Sequence, residues 1–136
     1  MNLSNAAKLM SGIMLITVPT IEFGGTFLLK ILSGTGPNLT EFQKSMFRAG
    51  HAHAGVLLIL GMLAQIFVDN AKLGDDLAWA VRIGFGLAPI LVSGGFFGGG
   101  MGTEKPAGLV LLLYAGALIL ALSVVTLGVG LIRGRT

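Results

Sequence analysis

The segment Phe47-Arg48-Ala49-Gly50-His51-Ala52-His53-Ala54-Gly55 places both histidines of the chain and an arginine at the mouth of a strongly apolar stretch. Ionisable groups are costly inside hydrocarbon, so their presence there marks a candidate functional site. Neutral imidazole suits zinc, copper or haem iron, and thioether sulfur suits copper. The candidate metal or cofactor ligands are therefore His51, His53 and Glu22, with copper, zinc or haem as the groups they would hold. Met46 and Met101 are possible soft ligands, while Arg48, Ser93 and Tyr114 are supporting polar groups. Spacing restricts this set. Successive helical residues turn by about 100°, so histidines two apart face nearly opposite ways, whereas ligand pairs on one helix usually stand three or four apart. One histidine would then face its own bundle and the other a neighbouring subunit, a haem edge or the lipid boundary. The alternative is structural, with each imidazole hydrogen-bonding a neighbouring helix.

Glu22 carries a second expectation. A carboxylate near the middle of a bilayer must take up a proton or pair with a cation, here Arg48 or a protonated histidine. A Glu and a His that share a proton form the elements of a relay. Arg48 precedes His51 by three residues and shares its helical face, where it would hold the glutamate or an anionic headgroup. No nucleophile triad and no paired-carboxylate pattern is visible, so a non-enzymatic role is expected.

The elements that must position these residues are written in the composition. Of 136 residues 54% are hydrophobic and 11% charged, where soluble proteins average about 25% charged, and the mean hydropathy is +0.88. The chain belongs in a lipid bilayer as one transmembrane unit. Cysteine is absent, which removes disulfides, thiolate metal sites and cysteine nucleophiles. The net charge of +3 lies mostly near segment ends and signals membrane topology, not nucleic-acid binding.

Four apolar segments predict an all-α, four-transmembrane-helix bundle with short loops, its helices at about 9–32, 42–68, 77–101 and 107–132. The first is longer than a usual signal core and no clear small-residue cleavage site follows, so it is expected to be retained. Pro19 should kink it and Pro89 should bend the third. Thr40 with Gln43 forms a potential capping box, Trp79 is an interfacial aromatic, and Arg82 lies close enough to its surface to snorkel. The run Ser93-Gly94-Gly95-Phe96-Phe97-Gly98-Gly99-Gly100 looks too glycine-rich for a stiff helix and too apolar for an ordinary loop; it lacks the Walker ending of a phosphate loop. Gly24, Gly25, Gly50, Gly55, Gly94, Gly95, Gly98 and Gly99 are expected to let helices pack closely. No internal repeat is evident.

Four crossings put both termini on one face. That terminal side carries Lys8, Lys72, Arg82, Arg133 and Arg135 and the other carries Lys30, Lys44, Arg48 and Lys105, a small excess that favours cytoplasmic termini. Counting from the non-terminal side at about 1.5 Å per residue, His51 and His53 lie roughly 7 to 11 Å deep, Ser93 and Tyr114 roughly 12 Å, and Glu22 about 15 Å. Arg48 and Glu104 lie nearer the surface. One leaflet would then hold a Glu22/His51/His53/Arg48 pocket, and the other would be almost wholly apolar apart from Gln65.

The segments Pro19-Thr20-Ile21-Glu22-Phe23-Gly24-Gly25 and Arg48 to Gly55 resemble small four-helix integral membrane proteins of bacteria. That resemblance implies a bacterial inner membrane and a fold, but no activity. The His-x-His also resembles histidine-bearing helices of haem-copper oxidases and nitric oxide reductases, over that segment only; the other spans lack the further histidines such enzymes use. Three functional classes follow: an intramembrane Glu/His/Arg site holding metal or haem, a non-catalytic accessory or scaffold subunit, and a small proton-coupled transporter or channel. The expected partners are the lipid bilayer and further subunits, either copies of this chain or members of a larger membrane complex.

Overall fold

A computed structural model of the chain describes residues 3–135, and its regular structure is entirely helical. The elements are α1 (Asn5–Ile16), α2 (Val18–Leu32), α3 (Glu41–Val68), α4 (Asp75–Gly99), a 3₁₀ turn over Gly108–Val110 and α5 (Leu111–Gly134). With α1 and α2 taken as one interrupted span, four helices are long and apolar enough to cross a membrane. The protein is a four-span helical bundle, as its hydropathy implies.

Local chemistry sets the ends. The Ser4 hydroxyl accepts a hydrogen bond from the Ala7 backbone N–H at 3.1 Å, which starts α1 earlier than the apolar run begins. Thr40 and Gln43 complete the capping box of α3, with the Gln43 N–H donating to the Thr40 hydroxyl (3.2 Å) and the Thr40 N–H to Gln43 Oε1 (3.1 Å). Asp75 and Asp76 occupy the first turn of α4, where negative charge complements the helix dipole.

The first span is broken at Thr17. Pro19 cannot donate to the preceding turn, and both the N–H (3.1 Å) and the hydroxyl (2.7 Å) of Thr17 turn back to the Met14 carbonyl. This break has a tertiary consequence. α1 packs against α3 and α4 together, whereas α2 follows α3 and meets α4 through the Phe97 ring at Gly24. Pro89 stays within α4 and leaves the Phe85 carbonyl without its usual helical donor. Gly61 of α3 sits over that carbonyl, so close that a Cβ there would lie 3.0 Å from the oxygen, and its Cα–H offers a weak compensating contact.

The glycine-rich run is helical through Gly99, contrary to its propensity. Tertiary packing reverses the preference: Gly95 and Gly98 face Leu113 and Leu109, Gly99 faces Met46 and Val110, and Gly50 receives Phe96 and Phe97. At Gly55 and Gly94 nothing lies within 4 Å of where a Cβ would stand, so these two mediate no close packing among the described residues. Half of the apolar stretch of α4 is buried, a third of that of α3, and only 11% in the first span and in α5. The core lies in the terminal half, around Ala64, Val68, Val81, Phe85 and Leu127, while the first span and α5 present most of their surface outward.

Candidate functional site

The predicted four-residue pocket separates into different surroundings. His51 turns toward α2 and lies on Gly24 and Gly25, its Cε1 and Nε2 within 3.1 and 3.2 Å of where a Gly25 Cβ would stand. The glycine pair is a seat for an imidazole ring. His53 faces another direction, as the two-residue spacing requires: its Nδ1–H donates to the Ala49 carbonyl at 2.8 Å and its ring lies 4.8 Å from that of Phe96. Glu22 is exposed on the outer side of α2, and its carboxylate forms no ion pair with a histidine or with Arg48 among the described residues. Arg48 is also exposed, donating to the Lys44 carbonyl (3.3 Å) and lying 4.0 Å from Glu41. The expected Glu22/His51/His53/Arg48 cluster is therefore not assembled within one chain. Depth along each helix places these residues at similar heights, but rotation about the helix axes separates them.

The supporting residues divide similarly. Tyr114 and Met101 are 64% and 70% exposed, whereas Met46 packs against Gly99. Ser93 is only 8% exposed and its hydroxyl has no hydrogen-bond partner. That isolation is unusual for a helical serine, which can bond the carbonyl one turn back. The other buried serine, Ser123, does so with Ile119 at 2.8 Å, as do Thr17 and Thr20 with the carbonyls three residues earlier.

Ser93 and His51 line the same cavity. The cleft has a volume of about 330 Å³ and lies between the broken first span, α3 and α4. Its walls are mainly apolar, with Met14, Leu58 and Pro89 inside and Ile13, Leu87 and Ile90 at the exposed lip. Because α2 diverges from α4 beyond the Thr17–Pro19 break, the space between them is filled by no helix; Gly24 and Gly86 further thin the walls.

A metal fits this arrangement poorly. No three His, Asp or Glu side chains converge among the described residues, and the His51 ring lies against Gly24 and Gly25 of α2. Copper, zinc or haem bound by a single chain would have to rely on one imidazole without the carboxylate or second histidine expected to join it.

At the opposite end of the bundle lies a polar cluster that the apolar reading of that leaflet does not anticipate. Arg82, whose side chain is 5% exposed, donates to Asp69 at 2.5 Å and to both the backbone carbonyl (2.8 Å) and side-chain oxygen (3.2 Å) of Gln65. Gln65 is fully buried and donates back to the Arg82 carbonyl at 3.3 Å. Ser4 closes the cluster with its N–H (3.0 Å) and hydroxyl (2.6 Å) on Asp69. Burial pushes the Asp69 carboxyl up, but the hydrogen bonds from Ser4 and Arg82 outweigh it and hold the group below its ordinary value. Arg82 thus turns inward instead of snorkelling, and Gln65, the expected exception in the apolar terminal leaflet, is joined there by a buried guanidinium. The signal available in the sequence is charge pairing across the short α3–α4 connection, between Asp69 and Arg82.

Compared with known protein families, with curated proteins and with solved structures, this chain matches none. The chemistry of its site rests on the geometry just described.

Proposed function

We propose that this is a non-enzymatic integral membrane protein that binds a hydrophobic small molecule in the cleft between its first span, α3 and α4. One observation carries this function: a mainly apolar cavity is lined by the His51 imidazole and by Ser93, whose buried hydroxyl has no hydrogen-bond partner. Ligand sites are typically apolar hollows of about 300–1,000 Å³ with a few polar groups that fix orientation, and 330 Å³ falls at the small end. Of the anticipated polar site, His51 and the supporting Ser93 belong to the cleft. Titration of an environment-sensitive hydrophobic dye into the protein in nanodiscs tests the function. Saturable binding should be lost in the cleft-filling double variant Ala54→Leu/Gly86→Leu; equal binding to wild type and variant would contradict it.

Glu22 favours a second role, as a subunit of an assembly. A carboxylate on the outer face of a membrane-spanning helix is costly against lipid, and a neighbouring protein surface, from another copy or another membrane protein, would relieve that cost. Since the chain contains no cysteine, Phe23→Cys supplies a unique crosslinking handle beside Glu22. Crosslinked species in native membranes are expected, and a purely monomeric pattern would count against assembly. The proposed setting is the bacterial inner membrane with cytoplasmic termini, supported by the family resemblance and the five-to-four distribution of Lys and Arg.

A further inference from the structure

We infer that copies of this chain associate head to tail in the membrane through a hydrogen-bonded pair between Glu22 of one copy and His53 of the next. This rests on the assembly role of Glu22 and names both the partner and the group that meets it. Both halves of the pair are exposed on the surface of a single chain. The His51 ring seated on Gly24 and Gly25 fixes the relative height of α2 and α3, which run in opposite directions on either side of a short connection. From that contact Glu22 stands two to three residues back along α2 and His53 two residues on along α3. Both steps go the same way through the bilayer, by about 3–4.5 Å and about 3 Å at 1.5 Å per residue. The carboxylate and the imidazole therefore share a depth. Copies inserted in one orientation keep that depth in common, so a match within the chain is also a match between neighbours.

Rotation keeps the two groups apart within a chain. His53 lies about 200° around α3 from His51, on the flank turned away from α2, while Glu22 lies on the outer side of α2. Each copy thus offers its acid on one flank and its imidazole on another, and the contact is heterologous, of the kind that closes into rings. The chemistry matches too. The Nδ1–H of His53 is committed to the Ala49 carbonyl at 2.8 Å, which fixes the ring and leaves Nε2 for a partner. One proton between Nε2 and the Glu22 carboxyl satisfies both groups, whichever of them holds it. The other cations of this half are engaged or out of reach. Lys44 lies 2.8 Å from Glu41, Arg48 donates to the Lys44 carbonyl, and Lys105 sits in the loop before α5. Lys30 is eight residues along α2, about 12 Å nearer the surface. The exposed Tyr114 phenol is the competing donor, but unlike imidazole it cannot carry the positive charge that balances a carboxylate.

Förster transfer between donor- and acceptor-labelled copies of the purified chain in phosphatidylcholine vesicles, read against the protein-to-lipid ratio, tests this pairing. Wild-type copies should associate. Glu22→Leu and His53→Leu should each weaken association roughly 3- to 16-fold, the equivalent of about 0.6–1.7 kcal/mol for a hydrogen bond between helices in a membrane. Transfer from one variant to the other should exceed transfer within either, because the Glu22 left in one meets the His53 left in the other. Undiminished association of either single variant would overturn the pair, as would a mixture no stronger than its components. A loss in Tyr114→Phe without one in His53→Leu would overturn the imidazole as the partner of Glu22. If wild-type copies stay monomeric in the vesicles while Phe23→Cys still crosslinks in native membranes, the second-copy assignment falls and assembly with a different protein stands. If neither signal appears, both fall.

Discussion

Two buried polar regions occupy opposite ends of this bundle, and they differ in whether their hydrogen bonds are made. At the terminal end, Arg82, Asp69, Gln65 and Ser4 satisfy one another through a closed set of contacts. Near the other end, Ser93 has no partner and His51 rests on glycines at the edge of a cavity. A closed network in a low-dielectric interior fixes structure, because breaking any member exposes the rest. A buried hydroxyl without a partner instead costs stability in the folded protein. The first region therefore fastens the start of α1 and α4 to the end of α3, while the second lines the cleft proposed to hold a ligand.

Breaking the closed network should have the largest effect. Arg82→Met strands Asp69 and Gln65, and we expect a loss of about 3–5 kcal/mol in reversible unfolding from mixed micelles. Gln65→Leu removes one neutral partner from the guanidinium and should cost about 1–3 kcal/mol by the same assay. A loss below about 1 kcal/mol for Arg82→Met, less than an ordinary unsatisfied buried group costs, would mean that the cluster does not hold these helices together.

Acidification probes the same region more gently. Asp69 has a depressed proton affinity in the folded protein, so its contribution is present above the ordinary carboxyl value and is lost as pH falls through the lower folded value. Melting temperatures should consequently decline at pH below the ordinary carboxylate range, and Asp69→Asn should flatten that part of the profile. An identical acid-side decline in the variant would assign it to other carboxylates.

Serine substitutions sharpen the contrast with the smallest energies. Ser123→Ala deletes a made hydrogen bond in a tight contact with Gly84 and should cost about 0.5–1.5 kcal/mol, while Ser93→Ala should leave the empty protein unchanged or slightly more stable. Equal losses at the two positions would show that Ser93 is satisfied in the folded protein.

Much of the scaffold is legible in the sequence, because crossing a bilayer demands long apolar helices and their ends carry local signals such as the Thr40–Gln43 box and Pro19. Helix rotation is less legible. Glu22 and His51 occupy matching depths, but a turn of about 100° per residue decides whether a side chain faces a neighbour or lipid, and helices apolar on nearly every side supply little periodicity to fix that turn. Arg82 reads as an interfacial anchor because depth alone does not reveal Asp69 and Gln65 across the α3–α4 interface. The helicity of Gly94 to Gly99 is hidden for the opposite reason: local propensity disfavours it, and close approach by α3 and α5 overrides propensity. Of the anticipated site, His51 and Ser93 share a cleft; Pro19 announces the break in the first span, but not the direction in which α2 leaves α4.

The central claim is that this cleft is occupied in the cell. Lipid analysis of the protein purified from its native membrane, alongside Ala54→Leu/Gly86→Leu prepared in the same way, tests it most directly. A hydrophobic small molecule should accompany the wild-type protein at close to one per chain and be depleted from the variant. Indistinguishable lipid profiles for the two proteins would contradict the claim.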